Sequence, residues 1–576
     1  MDDTEIRNSV DDVEMNESDN ESVGQESRIG SSYMPTFQYS QQKMRQGLAK
    51  YISSSGQVYS SAQHARFEKF IQEYVQSEYS SLCLRTIKSD SLNYFNDMKR
   101  ALVSELSGFN GTFSFSTNFW SSADEQLGFI CVTAHYIDSA WMLQRRIIAF
   151  RMLEYPHSDT VIFQSIMDIF REYMIDDKVF NITFDDVTGS EAIIDMFKNT
   201  LQPPCGGQFS YMRCLCHMVN SMVQEGLKLM EAHIEKIRGA ILYIASSSAR
   251  QQEFSALCES RGLKYRELKP DFKDHWNSTF LMLASCVNYN AAISEFYNGK
   301  HDVFRSVALS NSKVYLPTSS GGLFILRYIS KCFDKHRGHS IPEFTAVYEI
   351  MESKFKSYCE SMLPSYCLAA AMDPRFNGQG LDFLVKDISE YLSMLLLNMD
   401  TKAIEARLHD LYKGYESKFA EKEKPTSDRI PKRKRFDDGD ESAVEKFLEW
   451  RRQKEIKTYG PTELHKYLGV NHTAYMTNEE FQNFDVLAWW KDNALSFPVL
   501  SKMACDLLTV AVSAIAPEFV FSSTSGNQVL DYKRSMEPSE MLDCLFCMKD
   551  WEDARLRAQN WTDDDMVKYY ADSEQC

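Results

Sequence analysis

The sequence predicts an α/β unit built on a mixed sheet and joined to a long all-α region. Three observations predict it. Residues Thr112 to Trp120 alternate in polarity with the period of a strand, two further β-rich runs follow across turn residues, and from Cys214 to Ala420 the apolar spacing is helical almost throughout. At 576 residues the chain is too long for one ordinary core. With 44% hydrophobic and 25% charged residues it has the balance of a folded, soluble protein.

Charge and cysteine content narrow the class. The 63 Lys and Arg against 81 Asp and Glu give a net charge of −18. That argues against a wholly basic nucleic-acid coat but leaves room for a local basic groove. Fourteen Cys are too sparse for a disulfide scaffold and read as reduced core thiols. No run of about 18 apolar residues is present, so no membrane span is expected. The acidic start is unlike a secretory signal, and an intracellular protein is expected.

In chain order, residues 1–38 read as a disordered acidic tail. The first thirty carry ten acids and only Arg7 and Arg28 as bases, so their net −8 is almost half of the total. Residues 39–107 form an N-terminal helical unit, with apolar positions at helical spacing such as Phe67, Phe70, Ile71 and Tyr74. Scattered cations there, including Lys43, Arg45, Lys50, Arg66 and Lys69, suit only weak phosphate contact because Glu68, Glu73 and Glu78 are interspersed.

Residues 108–235 hold the sheet. Phe113, Phe115 and Thr117 fall on one face of the first strand, and Ser114, Ser116 and Asn118 on the other. Leu127 to Tyr136 and Trp141 to Arg151 complete an antiparallel meander. A helix over Ser158 to Tyr173 and a short strand over Val179 to Phe184 follow, ending at Asp185-Asp186. Residues 236–420 are all-α. Residues 421–441 form a linker with two Pro and the cluster Lys432, Arg433, Lys434 and Arg435, a candidate nuclear-import signal. A last helical unit spans 442–576.

Several blocks carry a resemblance. They are Thr117-Asn118-Phe119-Trp120-Ser121-Ser122 with Gly128 to His135, Arg213-Cys214-Leu215-Cys216-His217, Trp276-Asn277-Ser278-Thr279-Phe280 and Asp373-Pro374-Arg375-Phe376. The C-terminal block is the longest: Phe484 to Lys491, Phe497 to Leu500, Ala516 to Ser522 and Asp550-Trp551. Together they resemble the hAT superfamily of DNA transposases and, within it, the plant domesticated group called sleeper proteins. The resemblance implies a ribonuclease-H-like core interrupted by the helical insertion, with 442–576 as a dimerisation region that completes the core. Phe484, Leu487, Trp489, Trp490, Phe497 and Leu500 would be its anchors, giving a homodimer.

The resemblance also implies chemistry. In active members three acids hold two divalent ions for attack on a phosphodiester, and Mg²⁺ asks for ionised oxygen ligands. The second acid maps to Asp185 and the third to Glu518, but Asn118 stands where the first should be. An amide offers one acceptor oxygen and turns an NH₂ donor toward the same region. Asp186 and His275 are further departures, where the family usually has Asn and Arg. Trp276 keeps the surface that stacks on exposed DNA bases.

Blander readings compete. Asp185 alone could be a strand-end turn residue; the surrounding blocks favour a vestigial acid. Cys214, Cys216 and His217, with Cys205, could be argued as a zinc site, but their helical apolar face favours structural packing of Cys214 and His217 near the old active site. Cys544 and Cys547 read as core. A BED-type zinc finger needs Cys and His pairs near the N-terminus, and the first Cys is Cys83, so that module is expected to be missing. The resulting expectation is a catalytically inactive, nuclear, homodimeric protein that binds DNA or chromatin partners to influence gene expression, without cofactor or metal. An active transposase using Mg²⁺ and an interaction scaffold that never touches DNA are the alternatives.

Overall fold

The computed structural model describes residues 39–55, 57–121, 127–202, 210–269, 271, 276–296, 318–338, 341–391, 401–419, 449–451, 453–454, 457, 460–514 and 537–558. The described strands are β1 (Phe113–Ser121), β2 (Gly128–Ile137), β3 (Leu143–Leu153), β4 (Val179–Phe184) and β5 (Ser210–Arg213). They form one sheet in the order β3-β2-β1-β4-β5. β1 pairs antiparallel with β2 and parallel with β4, so the sheet is mixed and changes sense at β1. The meander and β4 fall where the polarity pattern places them. β5 is an addition: four residues are too few to show a period, and only pairing with β4 (Asn181 opposite Ser210, Phe184 opposite Arg213) makes them a strand.

The two faces of β1 do not divide into wet and dry. Ser114, Ser116 and Asn118 are as buried as Phe113 and Phe115. β1 is a central strand covered on both sides, and parallel pairing brings such double covering. One face packs against α3 (Leu84–Gly108), α4 (Asp159–Glu172) and α5 (Glu191–Thr200). Side-chain oxygens cap two of these: Ser158 accepts from Val161 N at 3.4 Å, and Ser190 from Ile193 N at 3.2 Å. α1 (Gln41–Ser55) and α2 (Ala65–Tyr74) extend the N-terminal unit, in which Arg45 pairs with Asp90 at 2.8 Å and Lys50 with Glu552 at 3.3 Å.

Beyond β5 the described chain is helical. α6 (Leu215–Lys228), α7 (Glu231–Ala245), α8 (Ser248–Ser260), α9 (Trp276–Cys286) and α10 (Asn290–Phe296) are followed by α11 (Ser319–His336), α12 (Pro342–Ala371), α13 (Gln379–Tyr391) and α14 (Thr401–Phe419). α7 to α10 share a small core of their own around Phe254, Cys258 and Tyr289. α11 to α14 form a larger core together with α15 (Glu463–Gly469), α16 (Asn478–Gln482), α17 (Val486–Asn493) and α18 (Leu500–Thr509). That core reaches Ile137, Phe180 and Met212 of the sheet.

The block Asp373 to Phe376 lies inside this joint. Arg375 Nη2 reaches Asp373 at 2.8 Å, Nε reaches it at 3.0 Å, and Nη1 donates to Phe481 O at 3.2 Å. The guanidinium lies 5.1 to 5.7 Å from the rings of Phe376, Phe481 and Phe484. Asp373 is fully buried, so one ion pair in an aromatic cage ties the helical region to the C-terminal unit.

The last described helix, α19 (Ser539–Ala558), returns to the sheet. A bulge near Ile148 shifts the parity of β3 against β2. Two N–H groups of this edge strand are then taken by helix carboxylates: Ile147 N by Asp550 at 2.8 Å and Phe150 N by Asp543 at 2.8 Å. Met152 N donates to Ser539 at 3.3 Å, and Trp551 Nε1 donates back to Ile147 O at 2.8 Å. Phe546 stacks on Phe150 with ring centroids 3.8 Å apart. Cys544 and Cys547 are buried here, among apolar side chains.

Three outcomes follow from this packing. Asp550→Ala strands Ile147 N in the core and lowers stability by about 1–3 kcal/mol, read from urea unfolding of the full chain. Arg375→Ala leaves Asp373 as an uncompensated buried charge and lowers stability by about 3–5 kcal/mol in the same assay. Asp506 sits beside the Tyr415 hydroxyl, and burial pushes its carboxyl up to about 6, with Tyr415 and the charge of Lys418 opposing. Its folded value lies above its unfolded one, so its contribution is full below about pH 4 and is lost as pH rises through 6. Asp506→Asn flattens the unfolding midpoint over that window.

Candidate functional site

The site expected from the sequence lies at the C-terminal ends of β1, β4 and β5, where ligands of open α/β sheets gather. Thr117 stands opposite Phe184 in the parallel register, which brings Asn118 beside Asp185 at the strand ends. Cys214 follows β5 directly, donates its backbone N–H to Phe184 O at 2.8 Å and starts α6. The topology therefore gathers Asn118, Asp185 and Cys214, whose sequence numbers span almost a hundred residues.

Asp185 is 3% exposed, and its carboxylate is engaged by the chain itself. Oδ1 accepts from Val187 N at 3.1 Å, Thr188 N at 2.7 Å and the Thr188 hydroxyl at 2.6 Å. Oδ2 accepts from Phe119 N at 2.5 Å, across the gap to β1. With its single proton on Asp185, the Thr188 oxygen accepts from the Thr117 hydroxyl 2.9 Å away. The turn is tight: a Cβ on Gly189 would lie 2.7 Å from Asp185 O and 2.8 Å from Phe184 Cβ. Burial pushes the Asp185 carboxyl up from its ordinary value, against the Thr188 bonds and the charge of His217. Asp185 thus accepts hydrogen bonds within its own strand-end turn, at the position where the resemblance implies the second acid.

Asn118 is 2% exposed, and neither atom of its amide finds a hydrogen-bond partner among the described residues. An unsatisfied buried amide is costly and uncommon. Behind it, Ser116 Oγ lies 2.9 Å from His135 Nε2, and burial holds His135 down to about 3, with Arg145 adding to the shift.

Cys214 Sγ accepts from Ala514 N at 3.2 Å and lies 3.6 Å from Ser513 Oγ. Burial pushes this thiol up, but hydrogen bonds with Cys216 and His217, the His217 charge and the Ala514 N–H together hold it well below the ordinary thiol value. Cys216 is exposed. No three His, Cys, Asp or Glu side chains among the described residues converge as a metal site would require. Cys214 thus links the start of α6 to the chain leaving α18. Glu518 lies outside the described residues, as do Cys205, His275, Lys432, Arg433, Lys434 and Arg435.

Trp276 opens α9. The helix start is held by Ser278 and Thr279 of the same block together with Arg238 and Asp271, a pair that no sequence signal marked. Arg238 Nε donates to Asp271 Oδ2 at 2.9 Å, and Asp271 Oδ1 accepts from Ser278 Oγ at 2.7 Å and Thr279 Oγ1 at 3.0 Å. Both ion-pair side chains are buried, at 9% and 0% exposure. Ser278 and Thr279 of the 276–280 block thereby anchor the first turn on α7. The pairing spans 33 residues and has no local pattern by which to find it.

Three of the six expected dimer anchors require a correction. Trp490, Phe497 and Leu500 are buried inside the chain's own core, and Trp490 Nε1 donates to Met372 O at 2.7 Å just past α12. Phe484, Leu487 and Trp489 are half-buried against the same core. The excess of large apolar area has been absorbed by the helical region, which the block itself does not reveal. Among the described residues of 460–514, Tyr475 and Leu495 are large apolar side chains left open, at 100% and 96% exposure.

Comparison with known proteins accounts for the arrangement. Residues 116–224 match the ZBED1 RNase-like domain, 212–314 the ZBED1 RNase-like helical domain and 463–552 the hAT family C-terminal dimerisation region. The chain is 26% identical to zinc finger BED domain-containing protein RICESLEEPER 2 of Oryza sativa, over 85% of this chain and 71% of that protein. It is 25% identical to RICESLEEPER 1 of the same plant, over 89% and 75%. It is 24% identical to DAYSLEEPER of Arabidopsis thaliana, over 91% and 75%. The chain thus carries an RNase-like domain, its helical domain opening after β5 and a hAT C-terminal dimerisation region packed on both, and over most of its length it is similar to the sleeper-type BED proteins of plants.

Proposed function

We propose that this chain is a transposase-derived nuclear protein that retains the scaffold without strand cleavage, dimerises through its C-terminal region and binds DNA or chromatin partners to influence gene expression. The observation that carries the reading is Asn118: a buried amide with no described partner stands on β1 beside Asp185, where the resemblance implies the first acid. A two-metal phosphodiester attack needs carboxylates to balance the charge of two cations. An amide brings no charge and has only one acceptor oxygen.

The DNA-binding part of the reading rests on the resemblance to DNA transposases, in which the residue matching Trp276 stacks on bases, and Trp276 opens α9 beside the Arg238–Asp271 pair. Dimerisation is supported by the match over 463–552. The basic cluster Lys432 to Arg435 supports nuclear import.

Incubation of the full chain with DNA and Mg²⁺ or Mn²⁺ tests the central part: no strand is cut. Cutting that Asn118→Ala abolishes would refute the reading in favour of an active transposase. Electrophoretic retardation of DNA weakens steeply as salt rises, because phosphate contacts release counterions. The absence of retardation at low salt would leave only an interaction scaffold. For the dimer, Leu495→Asp shifts sedimentation toward monomer with an unchanged melting temperature. Trp490→Ala instead lowers stability by about 3–5 kcal/mol, as loss of a large core side chain does.

A further inference from the structure

We propose that Asp185 is a structural carboxylate, locked by Thr188 and Thr117 as the cap of the β4–α5 turn, and that this end of the sheet takes no divalent cation. Whatever DNA the chain binds is then bound independently of divalent ions. That last part rests on the DNA-binding reading above; the first does not.

The family resemblance implies cations between carboxylates here, and the described donor set does not fit them. An ionised carboxylate has about four acceptor positions. Asp185 already receives four donors, three on Oδ1 and one on Oδ2. A cation bound to Oδ2 would sit beside the Phe119 N–H that points at the same oxygen. Mg²⁺ also demands ligands at about 2.0–2.1 Å in near-octahedral order. A carboxylate fixed by two main-chain segments and a hydroxyl relay cannot turn to meet that demand without breaking the turn that Gly189 closes. The neighbour expected to share the charge is Asn118, whose amide presents a donor as readily as an acceptor. Asp186, the adjacent acid, is exposed.

The relay also explains why one substitution is insufficient to rebuild a site. Asn118→Asp restores a charge on β1 but leaves Asp185 with all four donors. The same relay assigns Thr188 a positioning role that a solvent-facing turn residue would not have: its hydroxyl bridges β1 and the turn.

The test uses the full chain and Mn²⁺ as the probe. Isothermal titration of MnCl₂ gives no saturable binding at millimolar concentrations in the natural protein or in Asn118→Asp. Saturable binding in either that Asp185→Asn removes would overturn the proposal. Thr188→Val lowers the melting temperature by several degrees and Thr188→Ser restores most of it, with and without Mn²⁺. A Thr188→Val protein as stable as the natural one sinks the structural role. Retardation of DNA is equal in EDTA and in Mg²⁺, and a requirement for Mg²⁺ also overturns the inference. Absence of retardation in both buffers counts against the DNA-binding reading alone, and the titration still decides the cation question.

Discussion

The outer edge of β3 presents backbone N–H groups that a soluble sheet must cover or pair. Here a helix from the far end of the chain does it, with Asp543 and Asp550 accepting from Phe150 and Ile147, and Trp551 donating back to the strand. Buried main-chain groups left unpaired cost as much as a lost hydrogen bond, and an open edge invites association with other chains. The clamp joins residues about four hundred positions apart. The α/β unit is therefore finished only when the C-terminal helix has arrived.

The same logic runs through the joint between the sheet and the helical region. α18 lies where the large core meets the strands, and the chain leaving it is tied back by Thr183 to Ala511 O at 2.7 Å and by Ala514 N to Cys214. Arg375 in its aromatic cage holds α16 and the turn that follows it onto the chain just past α12. The helical region and the C-terminal unit share one core, and together they bury the second face of the sheet. The region matched as the hAT dimerisation region is thus already packed on its own chain, and among its described residues Tyr475 and Leu495 remain exposed.

Around the strand ends the polar groups are turned inward. Asp185, Thr188 and Thr117 satisfy one another and the turn, Cys214 serves the neighbouring segment, and Asn118 has no described partner. Such an arrangement is suited to holding a scaffold in shape. It contrasts with a cluster of carboxylates poised for cations, which would repel itself in the absence of the ions.

By itself the sequence determined the strands whose residues alternate, the helices with regular apolar spacing, the order in which they occur and the identity of the residue at position 118. These are properties of periods of two and about four residues, and local sterics enforce them. The tertiary structure alone decided that Ser114 and Ser116 are buried, that residues 210–213 are a strand, and that Trp490, Phe497 and Leu500 serve the chain's own core. It also decided that Asp185 spends its oxygens on Phe119, Val187 and Thr188, and that Arg238 and Asp271 hold the start of α9. Each of these depends on partners brought close by packing of segments distant in the chain, and burial and hydrogen-bond pairing of that kind leave no periodic trace along it.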